Sequence, residues 1–241
     1  RFEPMADPAQ FDQGIAGFLD HVQKPNFAAF AELAAKLTGR PVIQIERGLD
    51  DGKRTLLDDA LLADVDTLII ISFDSFRTGE KAAPPEIAAL RRFLDHPDHL
   101  AFLCPHHDIG EAEGLSGEAR VELQLAEYLH HGDHAIPPRQ AFGGFACSLL
   151  AGLGVPVENR FGLRPAATAD GAPVPIEADT ANDDLGLLDG VETFNLHPHL
   201  PQLERIGDGL KRMQVLARQP IDLSAPPHPF AEGGRDTLDA L

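Results

Sequence analysis

Histidine is concentrated in short clusters that follow predicted strands or helices. The chain has 11 histidines, and eight of them belong to these clusters or trail them. They are His106, His107, His130, His131, His134, His197, His199 and His228. Neutral imidazoles in such positions are ligands of catalytic zinc, iron and manganese. The pattern therefore predicts a divalent metal site where these histidine clusters meet, at the carboxyl edge of the predicted sheet. The predicted ligands are His106, His107, His130 and His134.

The cluster from His130 to His134 also has a purely structural explanation. Its sequence, His-His-Gly-Asp-His, lies at the end of a predicted helix, where protonated histidines complement the helix dipole. The spacing matches none of the standard zinc signatures, such as His-Glu-x-x-His. Metal binding and dipole compensation are both open for this cluster.

Cys104 ends a predicted buried strand and precedes the pair His106 and His107. A thiolate here could be activated by either histidine, or by one brought from elsewhere in the fold. However, the next residue is Pro105, which has no backbone N–H to serve as an oxyanion donor. Pro105 thus favours a metal-held water over a cysteine nucleophile. A strand-end cysteine that only packs as a small apolar side chain is an equally open interpretation.

Weaker candidates lie elsewhere along the chain. Asp20 and His21 form a carboxylate–imidazole pair after the first predicted strand, and Arg160 and Arg164 could bind a substrate carboxylate or pair with structural acids. We assign no function to His96 and His99, which flank a turn on the opposite side of the predicted sheet. Cys147 is expected to pack in the core. Gly143-Gly144 lacks the strand and the Lys-Ser/Thr of a phosphate loop, so no nucleotide cofactor is predicted.

Strands and helices alternate along the sequence, which predicts a mostly parallel sheet covered by helices on both faces. Two continuous apolar runs, 67–73 and 100–104, are typical of buried central strands and should be parallel neighbours joined by the helix 84–94. The other predicted strands are 14–19, 42–45, 155–160, 191–196 and 213–217. The other predicted helices run from Asn26 to Gly39, from Thr55 to Leu62, and over 118–131, 140–153 and 235–241.

Composition excludes several classes of partner. Twenty Lys and Arg against 38 Asp and Glu give a net charge of −18, which repels nucleic acid and anionic lipid. No apolar run is long enough to span a membrane, and residues 1–25 lack the order of a signal peptide. The two cysteines favour a reducing, cytoplasmic compartment. We expect a single domain over residues 1–241 that acts on a small molecule, with homo-oligomerisation left open.

Several segments resemble the class I glutamine amidotransferase-like superfamily, and within it the ThuA-like and related uncharacterised domains. They are ADVDTLIIIS (63–72), PEIAALRRFL (85–94), LLAGLGVPV (149–157) and LLDGV (187–191). The resemblance covers about residues 14–217. It implies a flavodoxin-like three-layer α/β/α sandwich with its active site at the end of the strand 100–104.

The resemblance also bears on individual site residues. It places Cys104 at the family's cysteine position, although both flanking glycines are missing. The family has a second catalytic motif, His-Pro-Glu, much later in the chain than its cysteine. His197-Pro198 and His228-Pro229 are two candidates for this distal histidine, and His199 lies where the family has glutamate. The predicted catalytic residues are Cys104, His107 and His197, with His228 as the alternative to His197.

These observations favour a hydrolase-like domain that acts on an amide, ester or sugar derivative at a histidine-rich site. The site lies at the carboxyl edge of the sheet and is assisted by a divalent metal such as zinc, iron or manganese. A catalytically silent module that binds a ligand or a protein is the first alternative. A Cys104-dependent amidase is the second.

Overall fold

The computed structural model describes residues 24–48, 53–72, 81–105, 117–119, 121–122, 143–160, 165–193, 202–224 and 237–239. Its helices are α1 (Lys24–Thr38), α2 (Asp59–Leu62), α3 (Pro84–Leu94), α4 (Gly144–Leu153) and α5 (Gly209–Arg212). Its strands are β1 (Thr67–Ser72), β2 (Leu100–Pro105), β3 (Val157–Arg160), β4 (Glu177–Ala178), β5 (Gln202–Arg205), β6 (Ala217–Pro220) and β7 (Thr237–Asp239). Residues 117–119 and 121–122 are helical as well, inside the predicted helix 118–131. The chain is therefore of mixed α/β class.

The two continuous apolar runs form a parallel pair, as predicted. β1 and β2 are hydrogen-bonded neighbours, in register from Thr67 opposite Leu100 to Ser72 opposite Pro105. The helix between them, α3, begins at its two prolines, whose fixed φ suits the first turn of a helix. Parallel neighbours need such a crossover, because both strands must start from the same edge of the sheet.

Alternate residues of β1 and β2 face opposite sides, and one side carries the core. Leu90 of α3 and Leu149 of α4 are fully buried at its centre. The strand residues packed against this cluster are Leu68, Ile70, Ala101 and Leu103. On the other side, Ile69 and Ile71 are exposed. In the described part of the chain, helices thus cover one face of the pair, and the predicted burial of both faces is not confirmed.

A glycine lets α3 and α4 approach closely. An ideal Cβ at Gly152 would lie 2.5 Å from Cδ1 and 2.8 Å from Cγ2 of Ile87 on α3. Arg91 also donates from Nη2 to the carbonyl oxygen of Gly152 at 2.8 Å. The absence of a side chain at Gly152 therefore sets how closely the two helices pack.

The later strands pair antiparallel, in contrast to the predicted parallel sheet. β3 pairs with β5, and β6 pairs with both β4 and β7. Asp239 of β7 accepts hydrogen bonds from Arg205 at 3.1 Å and from Arg218 at 3.2 Å, which links β7 to β5 and β6. Among the described strands, parallel pairing is confined to β1 and β2.

The structure corrects several predicted elements. The segment 235–241, predicted as a helix, contains strand β7, because Asp239 lies opposite Arg218 in a ladder that outweighs helix propensity. Residues 42–45 form no strand, because a β-branched run becomes a strand only beside a hydrogen-bonded neighbour. Ile43 in this segment is exposed. Residues 191–193 are not in a strand either, and the last predicted strand, 213–217, is displaced to β6.

Two predicted helices, over 26–39 and 55–62, are confirmed with shifted first residues. α1 begins two residues before Asn26 and ends before Gly39, which has a φ of +68°. α2 is capped by Asp58 rather than by Thr55, since the Asp58 carboxylate accepts a hydrogen bond from the Leu61 N–H at 2.8 Å.

None of the helices in the described ranges is both long and apolar enough to cross a membrane. The predicted strand 14–19 lies outside the described residues.

Candidate functional site

The carboxyl ends of β1 and β2 lie side by side. Ser72 is the last residue of β1 and pairs with Pro105, the last residue of β2. The two strands therefore end at the same edge of the sheet. Asp74 and Ser75 follow β1, and the His106–His107 pair follows β2, but these residues lie outside the described part of the chain. We refer to this end of the two strands as the carboxyl edge.

The first turn of α4 is attached to the carboxyl edge through Ser72. The buried Ser72 Oγ accepts a hydrogen bond from the Ala146 N–H at 3.1 Å. α4 begins at Gly144, so the amino terminus of a ten-residue helix adjoins the end of β1. Helix N-termini carry partial positive charge, which adds a favourable field for anionic groups at this edge.

A second serine connects α4 to the loop before α3. Ser148 Oγ accepts from the Ala82 N–H at 2.7 Å and donates to the Phe145 carbonyl oxygen at 2.7 Å. Together, Ser72 and Ser148 hold the start of α4 to the ends of two other segments. This part of the carboxyl edge is therefore fixed by hydrogen bonds as well as by apolar packing.

Cys104 lies one residue before the end of β2, on the exposed side of the sheet and opposite Ile71. Although Cys104 is exposed, the surrounding protein displaces enough water to disfavour the thiolate, and this desolvation raises the pKa of its thiol above its ordinary value. At neutral pH the thiol is accordingly protonated, which is the less nucleophilic form. The adjoining Pro105 is buried and offers no N–H.

A buried ion pair stabilises the segments around the carboxyl edge. Glu86 is buried in the first turn of α3. Its Oε2 accepts from Arg47 Nη2 at 2.9 Å and from the Ala83 N–H at 2.9 Å. Its Oε1 accepts from the Leu57 N–H at 3.0 Å and from Arg47 Nε at 3.3 Å. One carboxylate therefore holds three chain segments together.

The charge on Glu86 is stabilised by its partners. Burial by itself raises the pKa of this carboxyl, but the hydrogen bonds from Arg47, Ala83 and Leu57 and the charge of Arg47 outweigh it, so the pKa lies below its ordinary value. The Arg47 guanidinium lies 4.3 Å from the ring centroid of Phe145, in the first turn of α4. Through Arg47, the Glu86 network also reaches the helix that Ser72 caps.

Of the predicted catalytic and metal-binding residues, Cys104 is the one that lies within the described part of the chain. The histidines and Asp20 of the predicted sites lie outside the described residues, so their roles stay predictions. They are His21, His106, His107, His130, His131, His134, His197, His199 and His228. The backbone of Arg160 is in β3, and Arg164 lies outside the described residues.

His96 and His99 lie in the turn between α3 and β2, at the edge opposite to the carboxyl edge. Their rings stack with centroids 4.3 Å apart, and His99 also stacks on Phe93. His99 Nδ1 donates to the Phe93 carbonyl oxygen at 2.9 Å, and His96 Nδ1 accepts from the Asp98 N–H at 3.3 Å. Both rings thus stabilise the turn between α3 and β2.

Metal binding is not tested by the described residues. Within them, no three His, Cys, Asp or Glu side chains are grouped so that they could hold a metal ion. All four predicted ligands, His106, His107, His130 and His134, lie in other parts of the chain. The metal site therefore stays a prediction.

No family model, no curated protein and no solved structure matches this chain. The resemblance to the amidotransferase-like superfamily consequently rests on the sequence segments alone. The arrangement of residues at the carboxyl edge is the principal basis for a functional proposal.

Sequence reasoning missed the roles of Ser72, Ser148, Arg47 and Glu86. Glu86 has a local signal, because glutamate three residues after a helix N-cap commonly accepts from the N-cap N–H. The N-cap here is Ala83 rather than serine or threonine, and this departure hid the pattern. Arg47 has no local signal, since it meets Glu86 across 39 residues of sequence.

Proposed function

We propose that this protein is a small-molecule hydrolase with its site at the carboxyl edge of β1 and β2. The observation that supports this most is the parallel pairing that ends with Ser72 opposite Pro105. Because of this pairing, Asp74, Ser75, His106 and His107 all follow strand ends at one edge. In α/β sheets, ligands bind beyond the carboxyl ends of parallel strands. The amino terminus of α4 adjoins the same edge through Ser72.

The proposed nucleophile is water rather than Cys104. The raised pKa of the thiol and the missing N–H at Pro105 both disfavour attack by sulfur. An absent oxyanion donor typically costs about 2.7–4 kcal/mol in the transition state. In the proposal, His106, His107, His130 and His134 hold a divalent metal, which when bound would supply Lewis acidity and a lower pKa for water. His197 or His228 is proposed as the distal site histidine.

The proposed framework is a three-layer, flavodoxin-like α/β/α sandwich with a mostly parallel sheet in one cytoplasmic domain. The β1–α3–β2 unit supports it, because two parallel neighbours are joined by a helix packed on one face. Cys104 and Cys147 are not joined in a disulfide, in keeping with a reducing compartment. The resemblance to the amidotransferase-like superfamily adds support from sequence.

A catalytically silent binding module is the second candidate, and one observation favours it. Ser72 and Cys104, the hydroxyl and thiol at the described carboxyl edge, are both poorly suited to attack. Ser72 Oγ accepts a helix N–H, and the thiol pKa is raised. The raised pKa of the thiol also weakens a Cys104-dependent amidase.

Metal analysis combined with a panel of p-nitrophenyl esters and amides separates these candidates. We expect stoichiometric zinc, iron or manganese and turnover of at least one compound in the purified protein. His107→Ala should lose both, whereas His96→Ala, which changes a histidine at the opposite edge, should keep both. A protein with neither metal nor turnover would favour the binding module. Turnover without metal that is blocked by iodoacetamide would favour the amidase.

A further inference from the structure

One carboxylate, that of Asp239 on β7, is shared by two arginines from different strands. Its Oδ2 accepts a hydrogen bond from Arg205 Nε at 3.1 Å, and its Oδ1 accepts one from Arg218 Nε at 3.2 Å. Arg205 ends β5 and Arg218 lies in β6, so Asp239 holds two guanidinium groups from two sheets beside each other. We call these three residues the Arg–Asp–Arg cluster. Its charges sum to an excess of one positive charge.

This excess of positive charge differs from other ion pairs of the molecule. Arg92 pairs with Asp59, and Arg212 pairs with Asp208, each as one cation with one carboxylate. Asp and Glu outnumber Lys and Arg by 38 to 20, so acidic side chains are plentiful in this chain. The second guanidinium of the cluster is therefore not explained by a shortage of acidic partners.

Several donors of the cluster have no acceptor within the described part of the chain. Arg205 Nη1 donates to the Met213 carbonyl oxygen at 3.1 Å, and Arg205 Nη2 makes no hydrogen bond to a described residue. Arg218 donates to described residues through Nε alone, which leaves both of its Nη groups available. Guanidinium N–H groups lie in one plane as a fork that matches the two oxygens of a carboxylate or phosphate. The Nη groups of the two arginines thus form an unused set of oxyanion donors.

The acidic residue that faces Arg218 across the sheet does not neutralise it. Glu177 on β4 lies directly opposite Arg218 in the antiparallel ladder, so the two side chains share one side of the sheet. No ion pair joins these two described residues, and Glu177 is exposed. Glu177 is therefore a nearby negative charge that opposes the binding of an anion to Arg218.

Partial burial strengthens the attraction of the cluster for an anion. The exposed fractions are 19% for the side chain of Arg205, 27% for Asp239 and 40% for Arg218. Where water is partly displaced, a hydrogen bond between a guanidinium and an oxyanion is stronger than it is in open solvent. Arg218 is the most exposed of the three, so it offers the side from which a ligand can approach.

We propose that the Arg–Asp–Arg cluster is a binding site for a small oxyanion, a carboxylate or a phosphate group, held by the Nη groups of Arg205 and Arg218. Asp239 has a positioning role, because it fixes both guanidiniums through Nε and leaves Nη for the ligand. Binding of one negative charge neutralises the excess charge of the cluster. The inference does not depend on the proposed hydrolase activity, since it uses residues of β5, β6 and β7.

NMR titration of the arginine Nε–Hε signals tests the proposal. Inorganic phosphate and succinate are added separately at pH 7, with NaCl keeping the ionic strength at about 150 mM so that long-range repulsion is screened. The signals of Arg205 and Arg218 should shift saturably with at least one probe. Arg218→Gln should weaken that binding about tenfold or more, because charge-assisted hydrogen bonds are lost. The matched control, Arg212→Gln, removes an exposed arginine outside the cluster and should leave the affinity unchanged.

The two probes distinguish the sources of the oxyanion. Saturation by phosphate alone would assign a phosphate ligand, and saturation by succinate alone would assign a carboxylate ligand. No saturable shift with either probe would overturn the proposal. An equal loss of affinity in Arg218→Gln and Arg212→Gln would overturn it as well, since the binding would then reflect total charge.

A second variant keeps both arginines and the Asp239 contacts. Glu177→Gln removes the opposing charge from an exposed side chain, so the anion should bind more tightly than in the wild type. The same titration measures this, with Glu192→Gln as a control that makes the same change in charge outside the ladder of β4 and β6. Equal affinity in Glu177→Gln and Glu192→Gln would contradict an anion site beside Arg218.

Discussion

At the scale of single residues, Glu86 is the buried charge on which most local contacts depend. It accepts hydrogen bonds from two backbone N–H groups and from Arg47, so its removal leaves several donors without an acceptor. Glu86→Gln should lower the free energy of unfolding by about 3 kcal/mol, because one partner of a buried pair is lost. Urea denaturation at pH 7 measures this. Glu32→Gln, on exposed α1, is the control and should change it by less than about 0.5 kcal/mol.

The same carboxylate predicts the sign of a pH effect. Because its pKa is lower in the folded protein than in the unfolded chain, its contribution is fully present above the unfolded pKa and is lost as pH falls through the folded pKa. The difference in stability between wild type and Glu86→Gln should therefore shrink on acidification below about pH 4.5. A difference that grows on acidification would contradict the ion pair.

At the scale of elements, the contact between α3 and α4 depends on Gly152. A Cβ there would overlap Cδ1, Cγ1 and Cγ2 of Ile87, so Gly152→Ala should destabilise by about 1–3 kcal/mol despite the better helix propensity of alanine. Thermal unfolding measures the loss. In an Ile87→Ala background, which removes the overlapping atoms, the same substitution should be neutral or stabilising. The same loss in both backgrounds would contradict the close contact.

The elements also show what sequence can predict. β1, β2 and α3 were predictable because their apolar runs, paired prolines and stripe are local signals. Residues 42–45 and β7 were not, because strand formation depends on a partner elsewhere in the chain, such as Arg218 for Asp239. In the candidate site, Cys104 was found from its place at a strand end. Arg47 and Glu86 were missed because tertiary contacts bring them together.

At the scale of the whole molecule, the excess of acidic residues acts on every conformation of the chain. With a net charge of −18, the acidic side chains repel one another in the compact folded state and lower its stability. Dissolved salt reduces this repulsion. Raising NaCl from about 10 to about 150 mM shortens the Debye length from about 30 to about 8 Å and should raise the melting temperature. Glu86→Gln should show the same salt response, since a buried pair is little screened. A melting temperature that falls with salt would contradict this account.

The proposed site depends on the pairing of β1 and β2, because this pairing brings the ends of two strands to one edge of the sheet. The most direct test compares Cys104→Ala with His107→Ala. It measures the metal content of each variant and its turnover of the p-nitrophenyl esters and amides. Cys104→Ala should keep its metal and most of its turnover, with a stability loss of at most about 1–3 kcal/mol, and His107→Ala should lose both metal and turnover. A Cys104→Ala protein that folds and binds its metal but has no turnover would contradict the central claim.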